Sequence, residues 1–340
     1  MPNRLKETGL SYVIDTHTHW TPSTLIDVLE RRVEYPRIAR ENGTPHFEFG
    51  PGRPFKLPDD MWNPDAKIAK MDAAGIDLSV ISVVGGVAVV DLVDNPSDAI
   101  AVARAANDEL ADLCRSHPTR FAGLAALPLL AGTDNAIAEL ERAATVGLKG
   151  AMVYSNVHGR HLDDPEFLPV FDAAAKLGMV IQIHPTHPLA AAWLPNDALI
   201  TAVGYLFDTT TAALRLIFSG VYDRNPGFKL MLCHAGSLLP FVTARIDYQA
   251  VLFPNDVKQL SAPPSEYIKK LYTDIVCRHP GVARLALDTH GPERTMFGTD
   301  DPYWPIDGAF ETLEALSLPP AVREQVESGT ARNVFGLGVA

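Results

Sequence analysis

Val13-Ile14-Asp15-Thr16-His17-Thr18-His19 joins an apolar entry to two histidines spaced two apart. On a strand, alternate side chains share a face. His17 and His19 therefore project together from the strand's C-terminal end, and two imidazoles on one face can grip a divalent transition metal. Three later apolar runs close in residues of the same kind: Val180-Ile181-Gln182-Ile183-His184, Leu230-Met231-Leu232-Cys233-His234 and Met296-Phe297-Gly298-Thr299-Asp300. One such run is weak evidence; its repetition at strand ends points to a single metal-centred site.

Working outward, strands are expected at residues 12–15, 78–84, 121–127, 150–154, 179–184, 229–234, 272–276 and 295–298. Between them lie amphipathic helical patterns such as 96–116, 133–146, 165–177 and 209–224. Ile137, Leu140 and Ala144 recur at helical spacing while Glu139, Glu141 and Arg142 face out. Gly147 and Gly178 stand where helices should stop. Eight βα units with near-continuous apolar strands predict an α/β fold, a (β/α)8 TIM barrel, over a single domain, 1–340. A doubly wound open sheet is the competing architecture. The ligand-type residues decide against it, because a closed barrel gathers those strand ends around one mouth and an open sheet scatters them. Residues 21–60, rich in Pro, Gly and charge, break the rhythm and are expected to form a small insertion or lid. Residues 185–209, directly after His184, form a second excursion.

The chain has 340 residues, 47% hydrophobic and 21% charged, with a net charge of −12. That supports a large core and argues against nucleic acid, whose phosphates need clustered Lys and Arg. Cys114, Cys233 and Cys277 are few, odd in number and widely spaced, which argues against a disulfide framework and fits a reducing compartment. Cys233 is expected to be a small buried residue. There is no apolar signal core and no membrane-length run, so a cytoplasmic protein is expected.

His17, His19, His184 and Asp300 are the candidate metal ligands. Neutral histidines and a carboxylate bind Zn²⁺ or Mn²⁺ while leaving a position open. Asp300 is preferred over Asp301, which precedes Pro302 and should already be turning into the loop. His234 is a further ligand or an acid/base, since imidazole as a side-chain type ordinarily titrates near ~6.5 and so suits proton transfer at neutral pH; Asp300 is the second candidate for moving a proton. Arg53, Lys56 and Arg278 are candidates to meet a substrate carboxylate, His187 is a candidate contact, and Trp20, Trp193 and Trp304 either wall the pocket or pack.

At these residues the chain resembles the amidohydrolase superfamily, and within it the aminocarboxymuconate-semialdehyde decarboxylase-like branch. The resemblance rests on His17-x-His19, His184, His234-Ala235-Gly236 and Gly298-Thr299-Asp300. It is extended by Trp62-Asn63-Pro64, Met71-Asp72-x-x-Gly75-Ile76, Arg120-Phe121-x-Gly123-Leu124, Leu214-x-x-Ile217-Phe218-Ser219-Gly220-Val221 and Pro240-x-x-x-x-Arg245-Ile246. It implies one divalent ion, zinc in the first place and manganese as the alternative, on His17, His19, His184 and Asp300, with His234 beside it as acid/base. Tyr154 rather than Lys ends the fourth strand, in keeping with one metal. The chain departs from the branch in the arginines that grip muconate carboxylates: residues 55–61 contain none. The resemblance implies a decarboxylase of a small aromatic or unsaturated carboxylic acid, acting in catabolism of aromatic compounds. Hydrolysis of a carbon–carbon bond, lactone or amide is the alternative, and a metal-binding barrel without catalysis is a third reading. A homodimer is implied too, with the apolar stretch 248–253 as its sequence hint.

Overall fold

The computed structural model describes residues 12–48, 54–83, 95–194 and 196–338. In chain order, β1 (Ile14–Trp20) leads to α1 (Ser23–Glu30) and a small antiparallel sheet of β2 (Arg37–Glu41), β3 (Thr44–Glu48) and β4 (Pro54–Lys56). Then come α2 (Pro64–Ala74), β5 (Leu78–Val83), α3 (Pro96–Ser116), β6 (Phe121–Ala126), α4 (Thr133–Thr145) and β7 (Gly150–Tyr154). A short hairpin, β8 (Asn156–Val157) and β9 (Arg160–His161), precedes α5 (Leu168–Leu177) and β10 (Val180–His184). β11 (Lys229–Leu232), β12 (Tyr272–Asp274) and β13 (Thr295–Met296) complete the series.

Eight of these strands form one parallel sheet in the order β1-β5-β6-β7-β10-β11-β12-β13. Its ends meet after β13 rather than along it. Thr16 N donates to Phe297 O at 3.0 Å, Asp300 N to His17 O at 2.6 Å and His19 N to Asp301 O at 3.1 Å. The sheet is thus a nearly closed TIM-type barrel. Its strands are buried on both faces because helices cover the outside, which is why most of them read as near-continuous apolar runs.

The helices follow from local chemistry. Asn95 caps α3 through Ser97 N at 2.9 Å, Pro96 occupies its first turn, and Ala103, Ala106, Leu110 and Leu113 form the buried stripe. Truncating one such leucine to alanine costs about 2–5 kcal/mol. Gly178, at φ 67, ends α5 in the left-handed region open to glycine.

Several expected boundaries shift. β1 runs on to Trp20 because it pairs with β5 as far as Val83, so His17 and His19 lie within the strand. The expected strand 229–234 stops at Leu232, because His234 and Ala235 adopt positive φ. The expected strands 272–276 and 295–298 likewise end early, at Asp274 and Met296. The described residues of the segment 21–60 hold the helix Ser23–Glu30 and a three-stranded sheet of their own.

Candidate metal and proton-transfer site

The three histidine rings at the C-terminal ends of β1 and β10 point at one carboxylate oxygen. Asp300 Oδ1 lies 3.2 Å from His17 Nε2, 2.9 Å from His19 Nε2 and 3.8 Å from His184 Nε2. Its other oxygen, Oδ2, lies 3.2 Å from His234 Nε2. All four ligand candidates are buried.

Surrounding bonds assign the tautomers. His184 Nδ1 faces Pro185 O at 2.8 Å, and a carbonyl only accepts, so Nδ1 carries the proton. His17 Nδ1 faces the Asp274 carboxylate at 2.8 Å and carries its proton for the same reason. His19 Nδ1 meets Ser82 Oγ at 3.0 Å, and that hydroxyl donates onward to Thr18 O at 3.3 Å. Neutral His19 and His184 each turn an Nε2 lone pair toward the carboxylate, and His17 does so once its second proton is lost. Nε2 of His17 and His184 have no hydrogen-bond partner among the described residues despite their burial. Lone pairs and a carboxylate so close repel one another unless a cation lies among them, so the donor set fits a divalent metal.

Electrostatics agree. Burial works against charge on His17, but Cys233, Asp300 and Asp274 overcome it and hold its pKa well above the ordinary value. Burial, with His184 and His17 as neighbours, pushes His19 down to about 3, and burial beside His17 and His234 also lowers His184. Burial would raise Asp300, yet the imidazoles hold it well below the usual carboxylate range. One of the rings, His17, thus holds the proton that a metal would displace.

His234 sits on unusual backbone. It has φ 60 and is followed by Ala235, Gly236 and Ser237, all at positive φ. Such residues are costly individually and persist where their surroundings fix them. Asp274 does so: Oδ1 accepts from Ala235 N at 3.0 Å and Oδ2 from His234 N at 3.3 Å. The same carboxylate orients His17. Gly236 is needed here, since a β-carbon at that position would lie 2.7 Å from His290 Nε2. His234 Nδ1 is buried and has no hydrogen-bond partner among the described residues.

Sequence reading missed Asp274, although its signal was present: an acid near the end of an apolar strand, as at Asp300. It also missed Ser82 and Tyr303. The Tyr303 ring meets His19 edge-on at 5.5 Å and stacks at 5.6 Å on Phe55 of β4, which brings the inserted sheet to the barrel mouth. Cys233 is buried, as expected. Asp301 turns away from the histidines toward Lys67 and Lys70.

The expected substrate contacts differ in exposure. Lys56, next to Phe55, is exposed, as are His187 and Arg278. Arg278 follows Asp274 by four residues and lies across Gly308, with its Cζ 2.9 Å from where a β-carbon would stand. Trp193 is 86% exposed and Trp304 half-buried. Trp20 is 3% exposed and belongs to the hydrophobic core, where strand alternation turns it to the opposite side from His19; it packs and does not wall the pocket. Arg53 lies outside the described residues.

Residues 14–337 match the family model described as Amidohydrolase. The chain is 32% identical over 288 residues to 2-amino-3-carboxymuconate-6-semialdehyde decarboxylase of Dictyostelium discoideum, covering 83% of this chain and 79% of that one. It is 30% identical over 298 residues to gamma-resorcylate decarboxylase of Rhodococcus jostii, covering 80% and 87% respectively. Among solved structures, 5-carboxyvanillate decarboxylase LigW from Sphingomonas paucimobilis superposes with a TM-score of 0.84 at 28% identity, over 96% of this chain and 100% of that chain. With the barrel, the convergent histidines and a match along almost its whole length, the chain belongs to the amidohydrolase family.

Proposed function

We propose that this protein is a metal-dependent decarboxylase of a small aromatic or unsaturated carboxylic acid, with one ion held by His17, His19, His184 and Asp300. The observation that carries the reading is the convergence of three Nε2 atoms on one oxygen of Asp300 while His234 addresses the other. The relatives' activities favour loss of CO₂ over hydrolysis. When bound, the ion supplies Lewis-acid stabilisation of negative charge on the substrate's carboxylate and neighbouring oxygen. Zinc is the first expectation and manganese the second, since the donors are imidazole and carboxylate without thiolate.

The chain's own residues supply the proton. As the carbon–carboxylate bond breaks, its electron pair stays on the substrate carbon, and His234 Nε2 delivers the proton that replaces CO₂ there. Asp300 Oδ2, 3.2 Å from that nitrogen, holds the ring in place and steadies its charged form. Asp274 fixes the backbone that presents His234. Phe55 and Tyr303 narrow the mouth, with the segment 21–60 as a lid over a single barrel domain. Lys56 adjoins Phe55 and Arg278 follows Asp274 by four residues; with His187, Trp193 and Trp304 they are the proposed outer contacts. Arg53 is proposed on sequence alone.

A homodimer is supported by the helix Leu239–Leu252, in which only Leu239 is buried while Phe241 and Val251 are 82% and 76% exposed. Free thiols at Cys114, Cys233 and Cys277 support a reducing, cytoplasmic setting. No helix among the described residues is long and apolar enough to cross a membrane.

The test is CO₂ release from hydroxybenzoates, carboxymuconates and related acids by metal-quantified protein. Release that tracks metal content and vanishes in His234→Ala is expected. Silence across the acids, with solvent oxygen entering ester or lactone analogues instead, overturns the reading in favour of hydrolysis.

A further inference from the structure

Beneath the metal cluster lies a buried cation that the reaction does not use. Lys67, on α2, is 2% exposed. Its Nζ donates to Thr18 Oγ1 at 2.6 Å, to Asp301 Oδ2 at 3.1 Å and to His19 O at 3.4 Å. An ammonium has three protons and no acceptor, so these three partners use its full capacity. The gap lined by Lys67, Thr18, Asp15 and Asp301 leaves no room for a water molecule. Lysine is rarely buried this deeply unless paired, and here the pair is made with the neighbour of one proposed metal ligand, Asp300. The other two contacts fall on Thr18, between His17 and His19, and on the carbonyl of His19 itself.

The location gives these bonds a purpose. The sheet ladder does not continue between β13 and β1, and the barrel is closed by the irregular segment from Phe297 to Asp301. Asp300 within it has φ 58, a conformation that its neighbours must impose. Side-chain bonds do the closing. Asp15 accepts from Thr299 Oγ1 at 2.7 Å and from Thr299 N at 3.1 Å, and Thr18 Oγ1 donates to Asp301 O at 3.3 Å. Lys67 binds both sides of this seam. Lys70, one helical turn on, adds a second cation to Asp301 at 2.5 Å and links it to Asp60 at 2.9 Å.

We propose that Lys67 is a positioning residue for the metal centre: by bonding Thr18, His19 O and Asp301 together, it sets the spacing between the strand bearing His17 and His19 and the segment bearing Asp300. The inference rests on the metal reading of that cluster. A metal's outer partners are typically worth about 10–100-fold in metal affinity, and Lys67 acts on two ligand-bearing segments at once.

The experiment compares metal affinity, by competition with a chromophoric chelator for Zn²⁺ and Mn²⁺, with the thermal stability of metal-free protein. The variants are Lys67→Met and the charge-neutral pair Lys67→Met with Asp301→Asn, which removes the carboxylate that faces Lys67 in case the single change does not fold. Leu140→Ala, in the core at α4 away from the seam, serves as a comparably destabilised control. We expect the Lys67 variants to bind metal about 10–100-fold more weakly, with affinity in Leu140→Ala unchanged. If the Lys67 variants lose stability but bind metal as the wild type does, the residue is merely structural and the inference is overturned alone. A wild-type protein that binds neither ion overturns the metal reading and this inference with it.

Discussion

His234 and His17 meet neighbouring carboxylate oxygens but answer to different constraints. His234→Ala removes the proposed proton donor and leaves the three histidines and Asp300 in place. Turnover should fall by about 10²–10⁴-fold while metal content, read by elemental analysis, stays near that of the wild type. His184→Ala removes a ligand instead, so both metal and activity should go. The direction of the pH dependence follows from His17. Despite burial, its pKa in metal-free protein is raised well above the ordinary value by Asp300 and Asp274 beside it, so metal binding competes with a proton that these carboxylates help hold on the ring. Affinity should therefore fall as pH falls, by about tenfold per pH unit below that pKa for one displaced proton. His19, already pushed down to about 3, adds little in this range. Chelator competition between pH 8 and pH 5 measures the slope, and a flat profile contradicts the assignment. Gly236→Ala tests the strained turn: at φ 73, against His290 Nε2, a methyl group should destabilise the protein by more than about 1 kcal/mol and displace His234. The expected readouts are a lower Tm and a loss in kcat greater than any change in metal content.

At the scale of elements, α2 links the insertion to the seam. Asn63 caps it by accepting from Asp65 N at 3.0 Å, and Pro64 occupies its first turn. Asn63→Ala should cost about 1 kcal/mol of stability and lower Tm without abolishing metal binding, since Lys67 lies a full turn inside the helix. The helix Leu239–Leu252 presents Phe241, Tyr248 and Val251 to solvent in the isolated chain. Replacing Val251 with Glu should shift light-scattering mass from the proposed dimer toward monomer, and an unchanged mass contradicts a dimer built on this helix. Elements such as α3, whose observed span coincides with the expected 96–116, were legible because their period, cap and first-turn proline agree. The ends of β11, β12 and β13 were not. Apolar runs mark what is buried, and burial continues past the last ladder hydrogen bond into Cys233 and Phe297.

For the molecule as a whole, metal should count as a folding ligand. Anything that binds the native state alone stabilises it, by about 2.7 kcal/mol at a hundredfold excess over Kd. Chelation should therefore lower Tm reversibly, with recovery on adding back Zn²⁺ or Mn²⁺. If Tm is unmoved by removal of a quantified ion, that ion is not held by the buried cluster.

The sequence by itself determined the strand series, the parallel barrel and the four strand-end residues that point into it. Apolar runs, alternation and helix signals are local, and His17, His19, His184 and Asp300 each stand within or just after such a run. Tertiary structure alone decided what surrounds them. Asp274 orients His17 and pins the His234 turn across 257 and 40 residues of chain respectively, and Lys67 reaches Asp301 across 234. No periodicity encodes a bond between residues so far apart in sequence. Closure of the barrel creates those contacts, and their burial makes each one consequential: the polarity of a buried ring nitrogen is set by the partner that the fold delivers.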